Sequence, residues 1–166
     1  CREGCEIYNS AVMTMEQVLE VITKAEAAKQ STVRLHTGDT SVYSTIQEQM
    51  DVLEKEGISY DITPGVSSFC AAAASVGKEY TVPGISQSVI LTRMAGRTSV
   101  PDQEKIAALA SHGSAMVIFL SASMLPSLQE ELLKGAYAED TPACIVYKAS
   151  WPEEKVLPCT VGTLAT

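Results

Sequence analysis

The stretch Leu35-His36-Thr37-Gly38-Asp39-Thr40-Ser41-Val42-Tyr43 carries the residue types best suited to holding a ligand. It follows an apolar run and opens a helical pattern, so it predicts a strand that ends in a Gly-Asp turn. Open α/β folds bind ligands at the carboxyl ends of their strands. Gly38 lets the backbone approach a ligand closely, and Asp39 can accept hydrogen bonds or cap the next helix. The turn is therefore either a ligand loop or only a helix start.

A second turn of the same kind, Thr63-Pro64-Gly65-Val66-Ser67-Ser68, follows an expected strand at residues 58–62. The first turn follows an expected strand at residues 31–36. The order helix, strand, helix, strand predicts parallel pairing with right-handed crossovers. Both turns would then lie at one edge of the sheet, which favours a cleft there.

Three further side chains attract attention because they could bind a large charged ligand. Arg93 and Arg97 share one polar loop, and two guanidinium groups suit a carboxylate-rich molecule, although a solvated loop explains them equally well. Trp151 lies in a Pro-containing loop, where it could face a ring system or plug the edge of a core. His36 could act as a general base beside the cleft, or it could be a packing or surface histidine.

Signatures of acid–base, phosphate and metal chemistry are missing from the sequence. It has no nucleophile elbow, Walker loop or dinucleotide fingerprint. His36 and His112 lack carboxylates at ligand spacing, and Cys1 and Cys5 have no matching Cys or His pair, so we expect no metal site. No catalytic residue can be assigned. An enzyme that transfers a group between two bound molecules fits this pattern, because positioning supplies most of its rate gain.

Helices and strands alternate along the chain, which predicts an α/β protein. Thr14 and Gln17 fit a capping box that starts an amphipathic helix, and Gly57 is expected to end the next helix. In the second half we expect strands at residues 88–92 and 115–120, then a hairpin of residues 143–147 and 155–161, which together give a mixed sheet. The turn-rich segment ending at Gly84 suggests two domains, residues 1–84 and 85–166.

Composition excludes two classes of partner. The 166 residues are 46% hydrophobic, enough for a real core. The formal net charge of -8 argues against nucleic-acid binding, which needs clustered Lys and Arg. No apolar run approaches the length that spans a bilayer, so we expect a cytoplasmic protein without a membrane partner.

Five motifs, in order along nearly the whole chain, resemble those of the tetrapyrrole methylase family. Two of them are the Gly-containing turns described above. The others are Val89-Ile90-Leu91-Thr92-Arg93, Val117-Ile118-Phe119-Leu120-Ser121 and Val146-Tyr147-Lys148-Ala149-Ser150-Trp151-Pro152.

The resemblance implies two α/β domains, the first with a parallel and the second with a mixed sheet, and S-adenosylmethionine bound in the cleft between them. It implies methyl transfer to carbon 11 of a corrin-pathway tetrapyrrole in cobalamin biosynthesis, usually by a homodimer. Arg93, Arg97 and Trp151 are the candidate substrate contacts. Asp39 would accept hydrogen bonds near the polar end of the cofactor. Carried over by motif, the cofactor contacts are Thr37, Gly38, Asp39, Val42, Ser67, Ser68, Leu120 and Ala149.

The family pattern also includes a first strand with a Gly-Pro-Gly-Asp-Pro loop and a complete last strand, which this sequence lacks. We therefore expect a chain truncated at both ends. Two alternatives stay open. The protein could modify another tetrapyrrole carbon or, as in a distant branch, a protein side chain. It could also be an inactive fragment that only binds S-adenosylmethionine or dimerises.

Overall fold

The structure is a computed structural model that describes residues 3–96 and 98–166. Its packing divides into two compact units, Cys1–Ser67 and Ser68–Thr166. In chain order, the helices and strands are α1 (Met15–Ala27), α2 (Ile46–Lys55), α3 (Ser68–Val76), β1 (Val89–Arg93), α4 (Ile106–Ala110), β2 (Ala115–Phe119), α5 (Leu125–Leu133), β3 (Pro142–Tyr147) and β4 (Lys155–Thr160).

The division between the packing units falls at Ser67, whereas the sequence places a domain boundary after Gly84. Helix α3 belongs to the second unit because it packs against β3. A domain boundary at Gly84 stays a prediction.

In the first unit, local sequence signals set the ends of both helices. The predicted capping box of α1 is confirmed: Thr14 N–H donates to Gln17 Oε1 at 2.9 Å, and Gln17 N–H donates to Thr14 Oγ1 at 3.3 Å. Helix α2 ends before Gly57 (φ 71°), as predicted. The two helices pack together, and Leu53 of α2 is buried.

The two strands expected in the first unit are wrong as strands. Residues 31–36 and 58–62 form no ladder with a neighbour among the described residues. A β-strand depends on hydrogen bonds to a partner strand, so an apolar run alone does not make one. Val33 and Leu35 are accordingly 79% and 77% exposed.

The second unit contains the strand pairs. β1 and β2 pair in parallel, with Val89 opposite Ala115, and β3 and β4 form the predicted antiparallel hairpin, with Pro142 opposite Thr160. The α/β class and the presence of both kinds of pairing are confirmed. The pairs belong to two separate two-stranded sheets rather than one mixed sheet, and the parallel pair lies in this unit rather than in the first.

An apolar cluster stabilises the second unit. Helices α4 and α5 pack against each other and against the turn after β4, and partly buried residues of β2 and β3 cover the cluster. No helix within the described residues is both long and apolar enough to cross a membrane. The buried residues of the cluster are Ile106, Ala110, Leu128, Leu132, Val161 and Leu164.

Candidate functional site

In the first unit, the two Gly-containing turns come together through Asp39. We call residues 37–41 the Asp39 loop and residues 63–67 the Gly65 loop. Asp39 Oδ2 accepts a hydrogen bond from Gly65 N–H at 2.8 Å. Asp39 Oδ1 accepts from Ser41 N–H at 2.8 Å and from the Ser41 hydroxyl. Predicted only to share a sheet edge, the two turns are therefore directly bonded.

These hydrogen bonds favour the ionised carboxyl of Asp39. The Ser41 hydroxyl, the Gly65 amide and the Ser41 amide all donate to it, and they hold the pKa of Asp39 below its usual value. Asp39 is therefore a carboxylate at neutral pH.

The backbones of the two turns also touch. A Cβ added to Gly65 would lie 2.3 Å from the carbonyl oxygen of Gly38, a distance that real Cβ atoms do not adopt. Gly38 itself has a φ of 85°, in the left-handed region that glycine adopts without penalty. The close contact therefore requires glycine at position 65, and the left-handed backbone favours glycine at position 38.

His36 precedes the Asp39 loop in an unusual state. Its Nε2 atom is buried and has no hydrogen-bond partner. Burial, and next the charge of Arg34, lower its pKa, so the imidazole is neutral near pH 7. Among the described residues, Nε2 of His36 therefore has no partner that would activate it as a base.

A cavity of about 430 Å³ opens beside the Asp39 loop, within the first unit. Tyr43 and Thr45 line it and both have left-handed backbones, with φ of 54° and 56°. This conformation costs free energy for residues other than glycine, and such backbone strain is concentrated at functional sites. Val42, an expected cofactor contact, is half-buried, and Thr37 is exposed.

In the second unit, the residue directly after β2 also has a left-handed backbone. Leu120 has a left-handed backbone (φ 55°) and a side chain 74% exposed. The next residue, Ser121, is buried; its hydroxyl accepts from Met94 N–H at 3.2 Å and donates to Phe119 O at 2.7 Å. Ser121 therefore joins the carboxyl ends of β1 and β2, the edge where open α/β sheets bind ligands. Sequence reasoning missed this role, although a serine directly after an apolar strand is a usable signal.

Arg93 is occupied by its own loop. Its guanidinium donates to the backbone oxygens of Met94 (3.0 Å), Thr98 (3.2 Å) and Ser99 (3.2 Å), and to the Thr98 hydroxyl (2.8 Å). These bonds fix the backbone at Met94, Thr98 and Ser99 and leave little of the guanidinium for a ligand. Arg97, the second predicted substrate contact, lies outside the described residues.

The loop of residues 148–152, here the Trp151 loop, carries the last predicted contacts. Ala149 is half-buried between Lys148 (φ 49°) and Ser150 (φ 65°). Glu154 fixes the loop, because its Oε2 accepts from Ser150 N–H at 2.5 Å and from the Ser75 hydroxyl of α3 at 3.0 Å.

An aromatic surface accompanies this loop. Trp151 is 59% exposed and Tyr147 is 50% exposed. Lys148 Nζ lies 5.8 Å from the Trp151 ring centre and 5.6 Å from that of Tyr147. Two open rings beside a cation can accept a flat molecule that carries negative charge.

Of the two expected serines, Ser67 is buried and Ser68 is exposed as the first residue of α3. Within residues 3–96 and 98–166, no group of three or more His, Cys, Asp or Glu could hold a metal ion. The site residues are thus small, apolar or already hydrogen-bonded within the chain, an arrangement suited to holding a ligand in place.

Solved methyltransferase structures share this fold. A cobalamin biosynthetic enzyme, cobalt precorrin-4 methyltransferase, matches with a TM-score of 0.94 and 40% identity over 98% of this chain and 68% of its own. Uroporphyrin-III C-methyl transferase from Thermus thermophilus, complexed with S-adenyl homocysteine, matches with a TM-score of 0.74 over 91% of this chain and 66% of its own. At 22% identity, the second likeness shows the fold alone. The class is that of an α/β methyltransferase fold.

The sequence profile of the tetrapyrrole (corrin/porphyrin) methylases matches residues 3–165, and the chain belongs to that family. Cobalt-precorrin-4 C(11)-methyltransferase of Methanocaldococcus jannaschii is 48% identical over 99% of this chain and 63% of its own length. Precorrin-4 C(11)-methyltransferase of Sinorhizobium sp is 43% identical over 99% of this chain and 65% of its own length. The chain thus spans just under two thirds of these curated relatives.

Proposed function

We propose that this chain is part of an S-adenosylmethionine-dependent methyltransferase acting on carbon 11 of precorrin-4 or cobalt-precorrin-4 in cobalamin biosynthesis. The observation that carries this proposal is the high identity to the two C(11)-methyltransferases over nearly all of this chain. A different ring carbon has less support, because the likeness to uroporphyrin-III C-methyl transferase is much weaker.

The proposed cofactor is S-adenosylmethionine, which supplies a methyl group on a sulfonium sulfur. Its proposed contacts are the small and apolar residues carried over from the family motifs. The open Leu120 side chain supports this assignment, since it offers apolar surface at the carboxyl end of a strand. The proposed contacts are Thr37, Gly38, Val42, Ser67 and Ser68 in the first unit, and Leu120 and Ala149 in the second. Asp39, from the same motif, contributes by holding the Asp39 loop against the Gly65 loop.

Positioning is the chemistry that these residues can supply. Methyl transfer needs the methyl carbon and the acceptor carbon close together and in line, and a well-oriented pair reacts far faster than free molecules. The chain's own side chains hold loops in place: Asp39 bonds to the Gly65 loop, and Ser121 joins the ends of β1 and β2. No side chain is assigned as a catalytic acid or base.

For the tetrapyrrole we propose that Trp151 contacts the ring system and that Lys148 pairs with a substrate carboxylate. The exposed ring and the neighbouring ammonium support this. Lys148 Nζ lies 3.9 Å from Glu153 Oε2, and a substrate carboxylate would replace that weak surface pair. Arg97 remains a proposed carboxylate contact. The hydrogen bonds of Arg93 favour a role in shaping its loop over direct substrate binding.

Assembly and location belong to the same proposal. We propose a homodimer in the cytoplasm, without nucleic-acid or membrane partners. The family resemblance supports the dimer, and the net charge of -8 supports the absence of nucleic acid. Light scattering of the purified chain tests the dimer directly.

Titration calorimetry with S-adenosylhomocysteine tests the cofactor, using this chain and a form extended to the length of its relatives. We expect binding in the extended form. That form is then incubated with labelled S-adenosylmethionine and either precorrin-4 or cobalt-precorrin-4. The expected product has gained one methyl group, located at carbon 11 by NMR.

The substrate contacts are tested with Trp151→Ala, which should raise the KM for the tetrapyrrole and leave S-adenosylhomocysteine affinity unchanged. Leu157→Ala, at a half-exposed position of β4, is the matched control. Failure of the extended form to bind S-adenosylhomocysteine, or methylation at another carbon, would refute the proposal.

A further inference from the structure

We propose that the Asp39 carboxylate is a positioning group that fastens the Asp39 loop to the Gly65 loop, instead of a direct contact to the cofactor. This inference deepens the proposed function and rests on it for its consequence in binding. The fastening itself is a property of the first unit alone.

The hydrogen bonds that Asp39 accepts within the chain use most of its acceptor positions. A carboxylate offers about four acceptor directions. Ser41 N–H and the Ser41 hydroxyl occupy Oδ1, and Gly65 N–H occupies Oδ2. Most of the accepting capacity of Asp39 is therefore used within the chain, which leaves little for a ligand that brings its own donors.

The hydrogen bonds of Asp39 are of two kinds, local and long-range. The bonds to Ser41 are local and close a tight turn on the Asp39 loop itself, as aspartate side chains commonly do. The bond to Gly65 N–H spans 26 residues of sequence and joins two loops. One side chain thus sets the shape of the Asp39 loop and fixes where the Gly65 loop lies against it.

The backbones of the Asp39 loop and the Gly65 loop are also in close contact. A Cβ added to Gly65 would lie only 2.3 Å from the carbonyl oxygen of Gly38. The two loops therefore approach each other more closely than any residue with a side chain at position 65 would allow. Close approach leaves the backbone groups of both loops fixed relative to each other. Backbone amides and carbonyls held this way can bind a ligand without reorganising, which is the usual benefit of a preorganised site.

The fastening can be tested without any ligand. Hydrogen exchange at the amides of Ser41 and Gly65 should be slow in the free protein and much faster in Asp39→Ala, because each amide loses its acceptor. Asp61→Ala, at an exposed aspartate of the same unit, is the matched control and should leave both amides protected. Equal exchange in the wild type and Asp39→Ala would overturn the fastening.

Carboxyl NMR titration adds a readout of the bonds themselves. The pKa of Asp39 should lie below that of an ordinary aspartate, and Ser41→Ala should raise it, since the Ser41 hydroxyl is the largest cause of the lowered pKa. A folded pKa below the unfolded value stabilises the native state above the unfolded pKa. That contribution is lost as pH falls through the folded pKa, and Ser41→Ala should move the loss to higher pH. A wild-type pKa equal to or above that of an ordinary aspartate would contradict the bonding.

Binding then separates a positioning role from direct contact. Gly65→Ala leaves Asp39 intact but forces the loops apart, so it should raise the Kd for S-adenosylhomocysteine roughly tenfold or more, as Asp39→Asn should. Gly96→Ala is the matched control, because a Cβ there meets nothing within 4 Å. Ser41→Ala should weaken binding in the wild type and have no further effect in Asp39→Ala.

A loss with Asp39→Asn but none with Gly65→Ala or Ser41→Ala would assign Asp39 to direct contact and overturn the proposal. If the extended wild type binds no S-adenosylhomocysteine, the proposed function fails, while hydrogen exchange still decides the fastening. Thermal melts of each variant show whether the protein remains folded, and Ser41→Ala is the mild variant if Gly65→Ala does not fold.

Discussion

Replacing Leu120 by glycine should cost little stability and much cofactor affinity. The left-handed backbone of Leu120 (φ 55°) costs about 1–2 kcal/mol, which glycine relieves. Against this, the greater freedom of glycine in the unfolded chain costs about 0.5–1 kcal/mol. The side chain is 74% exposed, so the packing lost is roughly 0.5 kcal/mol. The free energy of unfolding should therefore stay within about 1 kcal/mol of the wild type.

Leu157→Gly is the matched control for stability. Leu157 is 51% exposed in β4 and has no left-handed backbone to relieve. About half of the Leu157 side chain is buried, and losing that buried surface costs about 1 kcal/mol. The greater freedom of glycine in the unfolded chain costs about 0.5–1 kcal/mol more. At about 2–4 °C per kcal/mol for a chain of this size, its melting temperature should fall roughly 3–8 °C.

The effect of Leu120→Gly on cofactor affinity is measured by calorimetry with S-adenosylhomocysteine, using the extended form. If the exposed part of Leu120 is covered by the cofactor, its loss removes roughly 1–2 kcal/mol of apolar contact. The Kd should then rise about tenfold. The reasoning is refuted if Leu120→Gly is as destabilised as Leu157→Gly, or if it binds S-adenosylhomocysteine with wild-type affinity.

Two further substitutions probe how the strand ends are held. Ser121→Ala leaves the partly buried Met94 amide without its acceptor and should lower the free energy of unfolding by about 1–3 kcal/mol in urea titrations. Ser123→Ala, at an exposed position, should leave it unchanged. Arg93→Lys should speed hydrogen exchange at Thr98 and Ser99, because an ammonium cannot span the acceptors that the planar guanidinium reaches; unchanged exchange there would contradict the loop-shaping role.

Local features of this molecule could be predicted from sequence because their partners lie nearby. The capping box of Thr14 and Gln17 spans three residues, and it formed as predicted. The β3–β4 hairpin likewise joins neighbouring segments. Residues 31–36 failed as a strand because strand formation is decided by a partner, and apolar alternation does not reveal whether one is present.

The site could be located from sequence, but the roles of its side chains could not. The turn at Gly38 and Asp39 was identifiable from its Gly-Asp pattern, yet the partner of Asp39 is an amide 26 residues away. Arg93 was expected to meet a substrate because guanidinium groups bind carboxylates, but backbone oxygens of its own loop satisfy it. The left-handed conformation of Leu120 runs against the preference of leucine, so no sequence rule would have indicated it.

A common pattern connects these observations among the described residues. Asp39, Arg93, Ser121 and Glu154 each use a polar side chain to fasten a loop or strand end to another part of the same unit. The groups left open beside them are backbone atoms and apolar or aromatic side chains, such as Leu120 and Trp151. Transfer of a methyl group from a reactive sulfonium to a carbon nucleophile requires alignment above all. Polar side chains that hold the loops rigid therefore suit such a reaction. A site that works by alignment has no catalytic motif that a sequence pattern would reveal.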